Sequence, residues 1–145
     1  MKAVVLLRTA SVMTFVFALL HTKGMPWTPA LGPGEVPIVE GMKTHAFDVM
    51  GVTRTYFSFY EGFGLLLSIM LLTLAVLIWM MATLVKAGVS GMRPMIAATA
   101  GAFAANAVLT WEYIFPVPAL FAIVIGACLV LAIVFMRPAT RPTST

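Results

Sequence analysis

GLLLSIMLLTLAVLIWMMAT, residues 64–83, runs twenty residues without a charge. A helix of roughly 20 apolar residues crosses a hydrocarbon core about 30 Å thick. The run lacks the polar–apolar alternation of a membrane barrel strand. In lipid, a lone segment can pair its own N–H and C=O groups only as a helix. Outward from this run the apolar character extends over residues 56–85, and three further stretches match it, at 3–20, 94–115 and 118–136. The expectation is an all-α integral membrane four-helix bundle, one transmembrane domain over 1–145. Its helices fall at about 3–21, 55–85, 94–115 and 118–136, with an extracytoplasmic loop at about 22–54.

Composition supports that class. Hydrophobic residues make up 61% and charged residues 10% of the chain, against about 45–50% and about 25% in soluble domains. So much apolar surface cannot be hidden in a soluble fold of this size. The formal charge of +4 is not a nucleic-acid signal, because the nine Lys and Arg are scattered and several fall at helix ends, where they suit anionic headgroups. Cys128 is the single cysteine. An intrachain disulfide and a Cys/His zinc pattern are therefore excluded, and it reads as a small core residue. Lys2 followed by an apolar run looks like a secretion signal. However, Arg8 interrupts the run and Leu19, Leu20 and His21 stand where a small-residue cleavage site is needed. The first helix is expected to stay uncleaved.

The connections order the helices. Lys86 to Arg93 (KAGVSGMR) holds two glycines suited to a tight reversal. Pro118 suits the first position of a helix, where its missing N–H costs nothing. The first connection carries Pro26, Pro29, Pro33 and Pro37. Its later half, Ile38 to Met50, has apolar residues at helical spacing and is expected to form a short surface helix. The tail Arg137 to Thr145 is polar and broken by prolines. Counting Lys and Arg by side puts Lys2, Arg8, Lys86, Arg93, Arg137 and Arg141 opposite Lys23, Lys43 and Arg54. Both termini are expected in the cytoplasm.

Polar residues inside apolar helices need partners, so their spacing is informative. Ser11, Thr14, Ala18 and His21 form a stripe on the first helix. Arg54, Ser58, Glu61, Gly64 or Leu65, and Ser68 follow steps of three and four on the second, and Thr99, Phe103, Asn106, Thr110 and Tyr113 do so on the third. Such stripes face the bundle interior. Ala97, Gly101 and Ala105 add a small-residue spacing that predicts close packing at Gly101. The aromatic TYFSFYEGF, residues 55–63, reads as an interfacial belt.

In the proposed orientation His21, Arg54, Glu61, Asn106 and Glu112 form a candidate polar pocket toward the outer side. A histidine beside a carboxylate can do acid/base work. The competing structural reading makes Arg54–Glu61 an ion pair fixing a helix end, His21 a cap, and Glu112 a headgroup-level charge. His45 and Asp48, three apart, are weak metal candidates, well short of the three or four convergent ligands of a zinc site. No metal or other cofactor is identified, and no phosphate loop or GxSxG is present. The uncharged middles Leu66–Ala82 and Ala119–Val134 argue against an ion path through the full thickness.

VLLRTASVMTFVFALLHTKG and GVTRTYFSFYEGFG resemble small uncharacterised four-helix bacterial membrane proteins and, more distantly, the DoxX-type family. Arg8, His21, Arg54, Glu61 and Gly62 carry the likeness. It implies a four-helix, multi-pass protein of the bacterial inner (cytoplasmic) membrane. Two functions are expected from these readings. One is a non-enzymatic component: an accessory subunit with a membrane protein partner, or a binder of a lipid or quinone-like apolar molecule at the outer leaflet. The other is a small membrane enzyme with Glu61 and His21 as acid and base. The lipid bilayer is the expected surrounding in both, and nucleic acid in neither.

Overall fold

A computed structural model describes residues 1–24 and 32–136. The elements in chain order are α1 (Lys2–Gly24), α2 (Val36–Thr44), β1 (Ala46–Val49), β2 (Val52–Thr55), α3 (Tyr56–Lys86), α4 (Met92–Tyr113) and α5 (Pro116–Phe135). α1, α3, α4 and α5 are long and apolar enough to cross a membrane. The prolines at 26 and 29 and the tail Arg137 to Thr145 lie outside the described residues.

The chain divides into two compact units, one made of Met1–Phe17 with the chain from Leu72 onward, the other of Ala18–Leu71. In the first, α1 runs antiparallel to α5, with Phe17 stacked on Phe121 at 5.1 Å and Lys2 over the Phe135 ring at 5.3 Å. α5 is likewise antiparallel to α4. Arg93 donates to the Met136 carbonyl at one end, and further along Phe103 lies against Gly126, where an added Cβ would stand 3.7 Å from that of Phe103. Ser11 joins α1 to α3 by donating to the Ala75 carbonyl at 2.7 Å. The core is narrow: Leu7, Ile78, Ile96, Ile125 and Leu129 are fully buried. Outward-facing Val76, Val108, Ile123 and Val134 are all more than half exposed.

Boundaries follow local chemistry. α3 ends in a Schellman motif: Val89 N–H reaches the Leu84 carbonyl and Gly88 N–H that of Val85, both at 3.1 Å. Gly88 has φ +77°, as that motif requires, and Gly91 at φ +81° caps the start of α4. The reversal read from KAGVSGMR therefore depends on both glycines. α4 begins at Met92 and α5 at Pro116, each two residues earlier than the sequence indicated, so Pro94, Pro116 and Pro118 all fall in first turns, where no N–H is missed.

The second unit departs from the expected all-helical plan. The surface helix stops at Thr44, and residues 46–55 form an antiparallel hairpin pairing Ala46 with Thr55 through Val49 with Val52. Met50 (φ 50°) and Gly51 (φ 82°) make its two-residue turn, both at the positive φ that a type I′ hairpin needs. The alternation Phe47 and Val49 in, Ala46 and Asp48 out has period two. Helical spacing was the wrong period for this half of the segment.

The close packing expected at Gly101 is not found. Gly101 is exposed, with nothing within 4 Å of where a Cβ would stand. The inner face of α4 is instead Met92, Ile96, Ala100, Phe103, Ala107 and Thr110, and α4 meets α5 closely at Gly126.

Candidate functional site: a polar seam and an aromatic-anchored hairpin

Within the unit Ala18–Leu71, the end of α1 meets the early turns of α3 through hydrogen bonds. α1 continues to Gly24, which puts His21 in its last turn. Its Nε2 stands 3.1 Å from the Gly64 carbonyl. A carbonyl can only accept, so Nε2 carries the hydrogen and donates it. The Ser68 hydroxyl donates to the same carbonyl at 3.1 Å, and Thr22 donates to Ser68 at 2.9 Å. The result is a chain, Thr22 to Ser68 to Gly64, met by His21. Gly64 and Ser68 are buried and His21 is half-buried. The α1 stripe thus faces inward, as does the α3 stripe at Gly64 and Ser68, whereas Leu65 is exposed.

The remaining candidates are placed differently. Arg54 is not on the α3 face. It lies on β2, is exposed, and donates to the Thr53 carbonyl at 2.8 Å. Among the described residues neither Arg54 nor Glu61 has an ion-pair partner, so the expected Arg54–Glu61 brace is absent. Helix α3 opens instead with a reciprocal cap. Ser58 N–H donates to Thr55 Oγ1 at 3.1 Å, and Thr55 N–H to Ser58 Oγ at 2.9 Å. This capping-box geometry places Thr55 outside the helix. In the sequence, the T-x-x-S spacing of Thr55 and Ser58 marks this helix start. Glu61 is half-buried on α3, one turn before Gly64. Of the five candidates, the seam brings His21 close to the Glu61 turn, with no bond between the two side chains.

Asn106 and Glu112 belong to the other unit, on α4. Glu112 is exposed, whereas Asn106 is half-buried with its Oδ1 buried and without a hydrogen-bond partner. His45 and Asp48 do not share a helical face. His45 is the residue that ends α2, its ring stacked on Tyr56 at 5.6 Å, and Asp48, on β1, accepts from Thr53 at 2.6 Å. Among the described residues no group of three or more His, Cys, Asp or Glu could hold a metal ion.

Sequence reading missed the hairpin's anchorage. Phe47 packs on Tyr56 at 4.9 Å and on Phe59 at 5.7 Å, and Phe59 on Phe63 at 6.1 Å. Lys43 lies over Phe57 at 5.4 Å. The residues read as an interfacial belt are also what fastens α2 and the hairpin to α3. That module leaves Ile38, Met50 and Val52 exposed. No family model, curated protein or solved structure matches the chain.

Proposed function

We propose that the protein is a non-enzymatic accessory component of a bacterial inner membrane, with both termini in the cytoplasm. The module of α2 and the hairpin is then presented on the outer side as a docking element for a membrane protein partner. The observation that carries this reading is the module itself: a short helix and a type I′ hairpin, fixed to α3 by an aromatic ladder, with Met50 almost fully exposed at the tip. An exposed apolar tip on an ordered support suits contact with another surface. The orientation draws on the six-to-three bias of basic residues, and the bacterial assignment on the resemblance described above.

The acid/base alternative has less support. His21 is committed to the Gly64 carbonyl, and no bond links it to Glu61. A seam of this kind ties helices together, each bond contributing about 0.6 kcal/mol on average in membrane proteins. A photocrosslinking side chain at Met50, activated in native membranes, is expected to give one discrete protein adduct. The same group at Val108 should label lipid alone. Lipid adducts alone at Met50 would overturn the docking reading. Loss of a measurable chemical conversion in both Glu61→Gln and His21→Asn, with folding intact, would restore the enzyme reading.

A further inference from the structure

Arg8 lies about two turns inside α1, within an apolar run, and its Nε is buried without a hydrogen-bond partner. Its guanidinium stands 4.5 Å from the centre of the Trp79 ring. Among the described residues no carboxylate answers it. Glu112 provides the one carboxylate side chain of its compact unit, at the opposite end of α4. A charge at such depth is costly unless something pairs with it. A guanidinium over an aromatic face can still donate from its Nη groups.

Beside this pair lies an open groove of about 360 Å³, lined by Ser11, Val12 and Phe15 of α1 and Ala75, Val76 and Trp79 of α3. That is within the size range of small-molecule clefts, roughly 300–1,000 Å³. The Ser11 hydroxyl is spent on the Ala75 carbonyl, so the groove offers an apolar surface with its backbone paired. Ser11 and Val12 follow Arg8 by three and four residues, which puts the guanidinium at one end of the groove. The same end of this unit carries Lys2, Lys86 and Arg93, because α1 begins there, α3 ends there and α4 begins there.

We propose that this groove holds one acyl chain of an anionic phospholipid, with its phosphate on Arg8. The fit has three parts: an apolar slot for the chain, a planar donor fork for two phosphate oxygens, and a basic helix end that favours net negative headgroups over zwitterionic ones. The site is separate from the polar seam and does not depend on the accessory-component reading.

The test uses the full chain purified in a neutral detergent and analysed by native mass spectrometry. Phosphatidylglycerol and phosphatidylcholine of identical acyl chains are added in turn. The wild type should retain one phosphatidylglycerol in preference to phosphatidylcholine. Arg8→Gln should weaken that retention about tenfold, as loss of one charge-assisted contact implies. Val76→Trp, which fills the groove and leaves Arg8 in place, should weaken it similarly, and Val108→Trp on the exposed face of α4 should not. Equal retention of the two lipids by the wild type would overturn the proposal, as would folded Val76→Trp or Arg8→Gln protein that keeps phosphatidylglycerol as the wild type does. Should Arg8→Gln fail to fold, Val76→Trp decides alone.

Discussion

At the scale of single residues, four side chains carry different consequences. The seam is a brace, so Ser68→Ala removes the link from Thr22 to Gly64. It should cost about 0.5–1.5 kcal/mol, read as a lower thermal midpoint in detergent. His21→Ala should cost a similar amount, and the pair should be non-additive, since both side chains share one carbonyl. Full additivity would mean that the two bonds act independently. Met50 is held at a φ of 50°, which a non-glycine residue adopts at a cost. Met50→Asn should therefore stabilise the hairpin by a few tenths to about 1 kcal/mol. Met50→Val should destabilise it, because a β-branched side chain is stiffer at positive φ. Asn106 leaves a buried oxygen unpaired, so Asn106→Leu is expected to be neutral or stabilising by about 1–3 kcal/mol. A large loss of stability there would reveal a partner that pairs with this oxygen in the membrane.

Elements follow their ends and their tightest contacts. Thr55→Ala removes half of the reciprocal cap on α3 and should cost about 1 kcal/mol. Gly88→Val forces a branched side chain into the Schellman position and should cost more. α5 and α4 offer a contrast between two glycine sites. Gly126 faces Phe103, where an added Cβ meets ordinary contact at 3.7 Å, so Gly126→Leu should overpack and cost about 1–3 kcal/mol. Gly101 opens onto empty space, and Gly101→Leu should leave the thermal midpoint unchanged.

The same elements show what could be read in the sequence. Helix-length apolar runs were legible because lipid imposes helices on them. Glycine at the α3–α4 reversal was legible because positive φ excludes most other residues. The inward polar positions Ser11 and Thr14 on α1 and Ser68 on α3 were legible because polar groups in an apolar helix must pair. The hairpin was not, since its eight strand residues are too few to separate a period of two from one of 3.6. Arg54 was misplaced for a related reason. A stripe extended by steps of three and four carries no mark of where its helix begins, whereas Thr55 and Ser58 do. Gly101 failed because small-residue spacing says that a helix can be approached closely, not on which side.

For the whole molecule, four helices long and apolar enough to span a membrane and an exposed module on the α1–α3 connection give one geometric consequence. α3 lies between the hairpin and the α3–α4 link in sequence, so if α3 crosses the membrane, Met50 and Val89 must lie on opposite sides. Both are exposed, which makes them suitable reporter positions. Replacing Cys128, the single native cysteine, by serine supplies a silent background. The decisive measurement is labelling of Met50→Cys and Val89→Cys by a membrane-impermeant maleimide in intact and permeabilised cells. With the proposed orientation, Met50→Cys labels in intact cells and Val89→Cys only after permeabilisation. Labelling of both positions in intact cells would contradict a membrane-crossing α3, and with it the four-span account.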